Sequence, residues 1–324
     1  MFLFITKIII HIFKNTKYIY IGDKVDKIKI GIPRGLFYYY DGYFLKNFFE
    51  YLNFELVVSP ETNRIIIDEG INYANDEMCM SLKIFLGHIA YLKEKCDYVL
   101  IMRIDNYGRY DQTCTNFLAL PDLVNNLFDV NILDINLNYL NNQNMYNELK
   151  KIGKKFGISI SKLKEAHNSA LIKTKKHNKN LITINKNKLY KNGLKILLVA
   201  HAYNTHDKYI GETVIKFLER NNINVIYSNH FESNKIKELS YKYWPNLYWY
   251  YNKENIGSLV SVYDKVDGII FLSSFPCGPD SLVNELVIRK IKKPCLNIII
   301  DDLNSLTGIE TRLESFIDIL EQKV

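Results

Sequence analysis

The chain has 324 residues, of which 48% are hydrophobic and 24% charged, a composition that is typical of a folded globular protein and excludes a disordered one. Its net charge of +7 arises in one segment, because residues 150–195 hold 14 lysines and one acidic residue, Glu165. The rest of the chain is therefore net negative, and we expect no nucleic-acid partner. We interpret the basic segment as a solvated helical linker or, alternatively, as a docking surface for an acidic partner or for phosphates.

The N-terminal residues and the number of cysteines bear on location. Residues 1–13 are apolar but are interrupted by Lys7 and His11, so they are too short to span a bilayer, and no small-residue cleavage site follows them. We predict an irregular extension over residues 1–26 and no membrane span. The five cysteines are odd in number and form no close pairs, which is not typical of a secreted disulfide framework. We therefore expect a reducing, cytoplasmic environment.

Strands and helices alternate from residue 27 onward. Continuous apolar runs predict strands at 28–33, 54–58, 97–102 and 130–135. Apolar residues at helical spacing predict helices at 43–52, 62–69, 81–95 and 121–128. The last of these helices is predicted to begin at Pro121, because proline is favoured at the first helical position. Strands separated by helices in this way indicate a parallel sheet with helices on both faces.

The same alternation restarts in the second half of the chain. Residues 145–192 predict helices and polar stretches without a strand. Further strands are predicted at 195–200, 223–227, 267–273 and 295–300, and further helices at 209–221, 255–263, 281–290 and 308–321. We therefore predict an α/β fold of two Rossmann-like parallel-sheet domains joined by a basic helical linker. The predicted boundaries are 27–140 for the first domain, 141–193 for the linker and 194–324 for the second domain.

The five cysteines divide between two edges of these sheets. Cys79, Cys114 and Cys277 each stand just ahead of a predicted helix, at the edge formed by the carboxyl ends of the strands. Ligands of open α/β sheets bind at that edge. A helix N-terminus there is expected to lower a thiol pKa and to favour the thiolate that binds metal. Cys96 and Cys295 enter strands from the opposite edge and are expected to be core residues.

Three thiolates without a nearby fourth suggest two kinds of metal site. One is a 4Fe–4S cluster with one iron open to another ligand, and the other is zinc with an open position. The spacing of the three cysteines along the chain does not choose between these sites, and three unconnected cysteines are the remaining alternative. We find no nucleophile–base motif and no Walker-type phosphate loop, so we do not expect this chain to hydrolyse ATP by itself.

Other polar residues are weaker candidates. Four of them follow a predicted strand at the same edge and are interpreted either as polar lining of a site or as an ordinary capped loop: His201, Tyr203, His206 and Asp207. His88 lies among apolar residues in the middle of a predicted helix, which indicates a packed histidine rather than a ligand.

Several stretches of the chain resemble the 2-hydroxyacyl-CoA dehydratase superfamily and, within it, the acyl-CoA dehydratase activase-related domain. The resemblance runs from about residue 27 to residue 320 and is carried by IKIGIPRGLFYY at 28–39, VSPE at 58–61, DEMCMSLKIFLGH at 76–88, DYVLIMR at 97–103, CTNFLALPD at 114–122, LVAHAYNTHDKYIG at 198–211, DGIIFLSSFPCGPDSLVNEL at 267–286 and residues 296–320. The segment FPCGPDSLVNEL is the most specific of these stretches.

The resemblance implies a Rossmann-like fold and a 4Fe–4S cluster held by Cys79, Cys114 and Cys277. Related members of the superfamily hold double-cubane clusters. In the dehydratases two such subunits pair, and a separate ATP-hydrolysing activator injects one low-potential electron. The substrate thioester then becomes a ketyl radical that loses water.

For this chain, the resemblance implies an iron–sulfur protein of anaerobic metabolism that transfers electrons to an acyl-CoA or similar substrate. It would act as a dehydratase-like lyase or a reductase component, with an activator and with a second dehydratase-like subunit or a second copy of itself as partners. Two alternatives remain open from the sequence. One is a non-catalytic binding or assembly partner of an activator, and the other is a three-thiolate zinc protein.

Overall fold

Two four-stranded parallel sheets form the framework of the protein. The computed structural model describes residues 27–302 and 306–322, so the predicted extension over residues 1–26 lies outside the described residues. The eight strands are β1 (Lys29–Ile32), β2 (Glu55–Val58), β3 (Tyr98–Asn106), β4 (Ile132–Asn138), β5 (Lys195–Val199), β6 (Asn224–Tyr227), β7 (Gly268–Ser274) and β8 (Cys295–Ile300). The first sheet has the order β2-β1-β3-β4 and the second β6-β5-β7-β8. The two predicted Rossmann-like parallel sheets are confirmed.

The strands read as continuous apolar runs because helices cover both faces of each sheet. In β7 every residue from Gly268 to Ser274 is buried, as expected of a central strand of a parallel sheet. The register of the first sheet is set by β1, where Ile30 pairs with Leu56 of β2 and with Tyr98 of β3. Corresponding strands occupy corresponding places in the two sheets, so the halves share one topology.

Twelve α-helices surround the sheets in the described part of the chain. They are α1 (Tyr38–Tyr51), α2 (Arg64–Tyr73), α3 (Met80–Leu92), α4 (Thr115–Leu127), α5 (Met145–Lys155), α6 (Ile160–Lys188), α7 (Ala202–Thr205), α8 (Glu212–Arg220), α9 (Ser233–Tyr243), α10 (Tyr250–Val262), α11 (Gly278–Ile288) and α12 (Leu306–Glu321). No helix in this part has the length and apolar character that crossing a membrane requires.

Two helix predictions are corrected. The helix expected to begin at Pro121 begins at Thr115 and contains Pro121 in its interior. Proline there removes one backbone hydrogen bond without ending the helix. The helix α9 is not predicted, and only Ile236 and Ser240 of its 11 residues are buried.

The helix α3 packs into the cores of both sheets. Its residues Phe85, Leu86 and Ile89 belong to the core of the first sheet. Met80 and Ile84, on the same helix, belong to a core of the second sheet. The basic helices α5 and α6 also pack on the first core, through Leu149, Ile152, Leu163, Ala166 and Ala170. The helix that follows Cys79 therefore lies where the two halves meet.

Candidate functional site

Cys79, Cys114 and Cys277 each occupy the N-cap position of a helix. They precede α3, α4 and α11, and in all three the backbone is extended. Cys114 and Cys277 are at equivalent places in the two halves, because α4 follows β3 and α11 follows β7, the third strand of each sheet. None of the three side chains makes a capping hydrogen bond. Each of the three thiols thus lies beside the first-turn N–H groups of its helix.

The structure brings these three cysteines together. After burial, ionisation of Cys114 helps to raise the pKa of Cys79, and ionisation of Cys79 and of Cys114 helps to raise the pKa of Cys277, so the three thiols lie close enough to interact. The backbone N–H of Met80 donates a 2.8 Å hydrogen bond to the carbonyl of Phe275, and this bond joins two of the cysteine loops. All three thiols are free.

The other two cysteines lie away from this group. Cys96 precedes β3 and Cys295 begins β8, so both are at the amino ends of strands. Both are half-buried and pack against hydrophobic cores. The Cys96 thiol donates a 3.3 Å hydrogen bond to the carbonyl of Leu92. The predicted separation of the five cysteines into two edges is therefore present in the fold.

The expectation that the helix N-termini lower the thiol pKa values is wrong for the thiols as they stand in this pocket. Burial raises the pKa of Cys79 to about 11, and burial also raises the pKa values of Cys114 and Cys277. For Cys277 the nearby carboxylate of Asp280 is the next largest cause. Backbone N–H groups, including that of Leu82 beside Cys79, act in the expected lowering direction, but loss of hydration outweighs them.

A buried polar network holds the start of α11. Asp280 is buried in the first turn of that helix, and its Oδ1 accepts 2.8 Å contacts from His201 Nε2 and from the side-chain amide of Asn252. Burial opposes ionisation of Asp280, but His201 and Asn252 outweigh it, so its pKa lies below the usual range. Neither Asp280 nor Asn252 is predicted from the sequence as part of this site.

The space beside the cysteines is a narrow crevice of about 20 Å³, which is room for about one water molecule. Cys114, Cys277, His201 and Tyr203 are among the residues that line it. Within the described residues, no group of three or more histidine, cysteine, aspartate or glutamate side chains is arranged to hold a single metal ion. A four-iron cluster is larger than one ion and than this crevice, so its binding requires the flanking side chains to part.

The run of polar residues after β5 serves both of the uses expected of it. His201 and Tyr203 line the cysteine crevice, and their rings stack with centroids 4.9 Å apart. His206 lines a larger cavity nearby. Asp207 instead caps its own loop, because it accepts hydrogen bonds from the N–H groups of Tyr209 and Ile210 at 2.8 and 3.1 Å. The run therefore contributes to two sites and to one turn.

His88 is a packed histidine, as predicted. It is fully buried in α3, and its Nε2 lies 3.2 Å from the hydroxyl of Thr62. Burial lowers its pKa to about 3, so the imidazole is neutral. Two other titratable residues, Asp41 and Glu254, line the larger cavity. Neither is predicted from the sequence as a site residue. They are far apart in the chain and meet only in the fold.

Fold and site together define an α/β protein of two Rossmann-like sheets with three cysteines at the N-cap positions of helices. A family model described as "CoA enzyme activase uncharacterised domain" matches residues 29–231. The chain belongs to this family, which confirms its resemblance to the acyl-CoA dehydratase activase-related domain. No curated protein matches the chain.

Solved structures show only a distant likeness. The crystal structure of ZnuA is 10% identical, with a TM-score of 0.30 over 91% of this chain and 99% of that chain. A Zn(II)-bound variant of AdcAII from Streptococcus pneumoniae is 13% identical, with a TM-score of 0.29 over the same shares. A sugar transporter from Clostridium phytofermentans is 10% identical, with a TM-score of 0.21 over 92% of this chain and 94% of that chain. Likeness at these scores carries no argument about function.

Proposed function

We propose that this protein holds a 4Fe–4S cluster on Cys79, Cys114 and Cys277 and takes part in low-potential electron transfer to an acyl-CoA or similar substrate. The observation that carries the proposal is the proximity of three free thiols, each at a helix N-terminus. Membership of the CoA enzyme activase family supports the connection to coenzyme A chemistry. We place this function in the cytoplasm.

The donor set suits an iron–sulfur cluster. Such a cluster supplies one-electron transfer and, when held by three thiolates, one iron open to an outside ligand. Burial makes the thiols poor acids, but the positive charge of iron removes the proton from a ligating thiol. The helix N-termini then stabilise the negative charge of the ligated site. A double-cubane cluster would require more room, and more thiolates than the three present.

Zinc fits the same residues less well. A zinc ion needs ligands that meet at one point in tetrahedral geometry. The described residues contain no group that meets this requirement for a single ion. The ligands of a cluster lie farther apart, each on its own iron, so three thiols on three separate helices favour a cluster over zinc.

The network beyond the cysteines positions the loop of Cys277. Asp280 follows Cys277 by three residues and is fixed by contacts with His201 and Asn252. Because Asn252 belongs to α10 and His201 precedes α7, two neighbouring elements hold the N-terminus of α11 in place. In the proposed site these residues position Cys277, and His201 and Asn252 also line the crevice beside it.

The direct test is anaerobic purification followed by iron, sulfide and zinc analysis. We expect about four irons and four sulfides per chain, together with an absorption band that bleaches on reduction with dithionite. One zinc per chain without sulfide would favour the zinc protein. A stable, metal-free protein that also fails to accept a cluster in anaerobic reconstitution would eliminate the proposal and leave the non-catalytic binding or assembly role.

Cysteine variants test the ligand set. We expect Cys79→Ser, Cys114→Ser and Cys277→Ser each to lower iron and sulfide content severalfold, because a serine hydroxyl is a poor ligand for iron. Cys96→Ser and Cys295→Ser are matched controls at the opposite edge and should retain the full content. Loss of the cluster in Cys96→Ser, with retention in Cys277→Ser, would contradict the proposed ligands.

The proposed partner is an ATP-hydrolysing activator, and a second dehydratase-like subunit or a second copy of this chain completes the assembly. The test is anaerobic electron paramagnetic resonance of the purified chain with an activator, with and without ATP. An ATP-dependent reduced-cluster signal is expected. If ATP leaves the spectrum unchanged although dithionite reduces the cluster, the protein carries a cluster but does not accept electrons from the activator.

A further inference from the structure

A large cavity lies next to the cysteine crevice. Its volume is about 590 Å³, and its walls come from α1, α6, α7, α10 and the loop after β6. Tyr250 and Tyr251 line both this cavity and the crevice. A second cavity of about 500 Å³ shares Tyr40, Asp41 and Tyr107 with the first. These volumes fall in the range of small-molecule sites in proteins.

The lining of both cavities carries negative charge without lysine or arginine. Among the described residues that line them, the charged side chains are Asp41, Glu232 and Glu254. Glu232 is paired with Lys235 at 2.8 Å. Glu254 accepts a 2.5 Å hydrogen bond from Ser233 and is influenced by the charge of Lys237. Of the three acids, Asp41 therefore remains to be compensated.

Asp41 stands where the two cavities join. Its Oδ2 is shielded from solvent and has no hydrogen-bond partner among the described residues. Burial, and next the charge of Glu254, raise the pKa of Asp41 to about 7. A carboxylate oxygen that is shielded from solvent and has no partner is costly unless the group is protonated or paired with a cation.

Of the three histidines that line the larger cavity, His177 stacks on the ring of Tyr43, and the other two do not supply that cation. His206 and His230 stack with ring centroids 5.1 Å apart. Burial lowers the pKa values of both, that of His230 to about 3, so both rings are neutral at physiological pH. The remaining lining is rich in tyrosine: Tyr39, Tyr40, Tyr107, Tyr250 and Tyr251. Aromatic rings attract ammonium and guanidinium groups.

We infer that this cavity binds a small organic cation whose protonated amine pairs with Asp41 and packs among the tyrosine rings. A bare metal ion is a poorer fit, because the described residues hold no group of ligands for one. A phosphate-bearing ligand such as coenzyme A is disfavoured by the acidic lining. The cationic ligand is therefore distinct from the acyl-CoA-type substrate of the proposed function, and its binding does not depend on the cluster.

Calorimetry and thermal shift on the full chain, with phenethylamine and its uncharged analogue 2-phenylethanol as probes, test the inference. The two probes differ in charge at nearly equal size. We expect the amine to bind at least about tenfold more tightly than the alcohol, since a charge-assisted hydrogen bond is worth about 1.5–3 kcal/mol. Inorganic phosphate and coenzyme A should not compete with the amine.

Three variants assign the binding to Asp41. Asp41→Asn should weaken amine binding by about tenfold or more and leave binding of the alcohol unchanged. Glu254→Gln should weaken it less, because Glu254 already accepts a hydrogen bond from Ser233. Glu314→Gln, an exposed carboxyl-to-amide change on α12, is the matched control and should bind as the unaltered protein does.

Specific outcomes overturn the inference. Equal binding of amine and alcohol, or no binding of either, would show that the cavity does not recognise a cation. Full amine binding by folded Asp41→Asn would remove Asp41 from the site. If Asp41→Asn does not fold, the comparison of the two probes on the unaltered protein and on Glu254→Gln still decides the question.

Discussion

At the scale of single residues, burial sets the chemistry of both sites. The three cysteine thiols and the carboxyl of Asp41 all have raised pKa values, with burial as the largest cause. In each of these groups burial favours the protonated, neutral form over the ionised form. A nearby positive charge favours the ionised form instead. Both sites are therefore suited to positively charged partners, and the partners proposed are iron at the cysteines and an amine at Asp41.

The pH dependence of stability tests the state of Asp41. Because its pKa rises from 3.8 to about 7 on folding, the folded protein binds this proton more tightly than the unfolded chain does. Its contribution to stability is therefore present below pH 4 and is lost as pH rises to about 7. At roughly 1.4 kcal/mol per pKa unit, the loss is of the order of a few kcal/mol.

Asp41→Asn should remove this loss. Urea denaturation at pH 5 and pH 8 is expected to show that the variant gains stability relative to the unaltered protein at both pH values, and gains more at pH 8. The other titratable side chains around Asp41 are Glu254, Tyr107, Tyr139, Tyr250, His167 and His177. After burial, the charge of Asp41 helps to raise the pKa values of the three tyrosines, so the substitution also changes these groups. A constant difference between the two pH values would contradict the raised pKa.

The buried contact between Asp280 and His201 gives a second residue-scale prediction. Asp280→Ala leaves His201 and Asn252 without their acceptor in a buried place. We expect a loss of about 3 kcal/mol in the free energy of unfolding, measured by urea denaturation of metal-free protein. Glu285→Ala on the same helix, which removes an exposed pair with Arg289, should cost less than about 1 kcal/mol. Similar losses in both variants would show that the network adds no stability.

Site residues can be predicted from the sequence where a local pattern shows their position relative to a helix or strand. The three site cysteines could be selected because each precedes a helix at the carboxyl edge of a sheet. Asp41 could not, because it lies in a tyrosine-rich helix start and its neighbour Glu254 comes from the other half of the chain. The pairing of His201 with Asp280 was hidden for the same reason. Local patterns do not reveal contacts between distant segments.

At the scale of elements, two glycines allow α2 and α3 to touch. A Cβ atom at Gly87 would lie 1.8 Å from the carbonyl oxygen of Ile66, and one at Gly70 would lie 1.9 Å from that of Lys83. These contacts are with backbone, which cannot rotate away. The close approach fixes α3, and with it the position of Cys79 at its start.

Gly87→Ala should therefore destabilise the protein. We expect a loss of about 1–3 kcal/mol from overpacking, seen as a lower thermal midpoint, together with reduced iron content after reconstitution because Cys79 is displaced. Gly308→Ala in α12 is the control, since a Cβ atom there meets nothing within 4 Å. It should be neutral or stabilising by up to about 1 kcal/mol. Equal midpoints for the two variants would contradict the role of Gly87.

Strands and helices are predicted correctly where the segment is uniformly buried, and less well where only part of it is buried. All eight strands are present because each is an apolar run between turns. The start of α4 was misplaced, because a proline was expected to mark the first helical position and Pro121 lies in the interior instead. The helix α9 escaped prediction because it buries only two residues. A helix that buries few apolar side chains has few apolar positions by which its sequence can be recognised.

At the scale of the whole molecule, α3 and its neighbours couple the two sheets. The hydroxyl of Ser81 lies 2.7 Å from both Asn204 and Ser274 of the second half. Lys83 forms a 3.0 Å ion pair with Asp302, and the side chain of Lys83 is only 9% exposed. Because apolar residues of the same helix enter both cores, opening one half exposes apolar surface of the other. The cysteine site, at the start of this helix, depends on both sheets together.

This coupling predicts that the two sheets unfold in a single transition. Fluorescence of Trp244 and Trp249 reports on the second half, and amide exchange of β3 reports on the first. Both probes should give the same urea midpoint.

Ile84→Ala, which removes a buried α3 side chain from the second core, should lower stability by about 2–4 kcal/mol and separate the two midpoints. Leu313→Ala, equally buried in that core but on α12, should lower both midpoints together. Separate midpoints in the unaltered protein would mean that the sheets fold independently and that the cysteine site forms only when they dock.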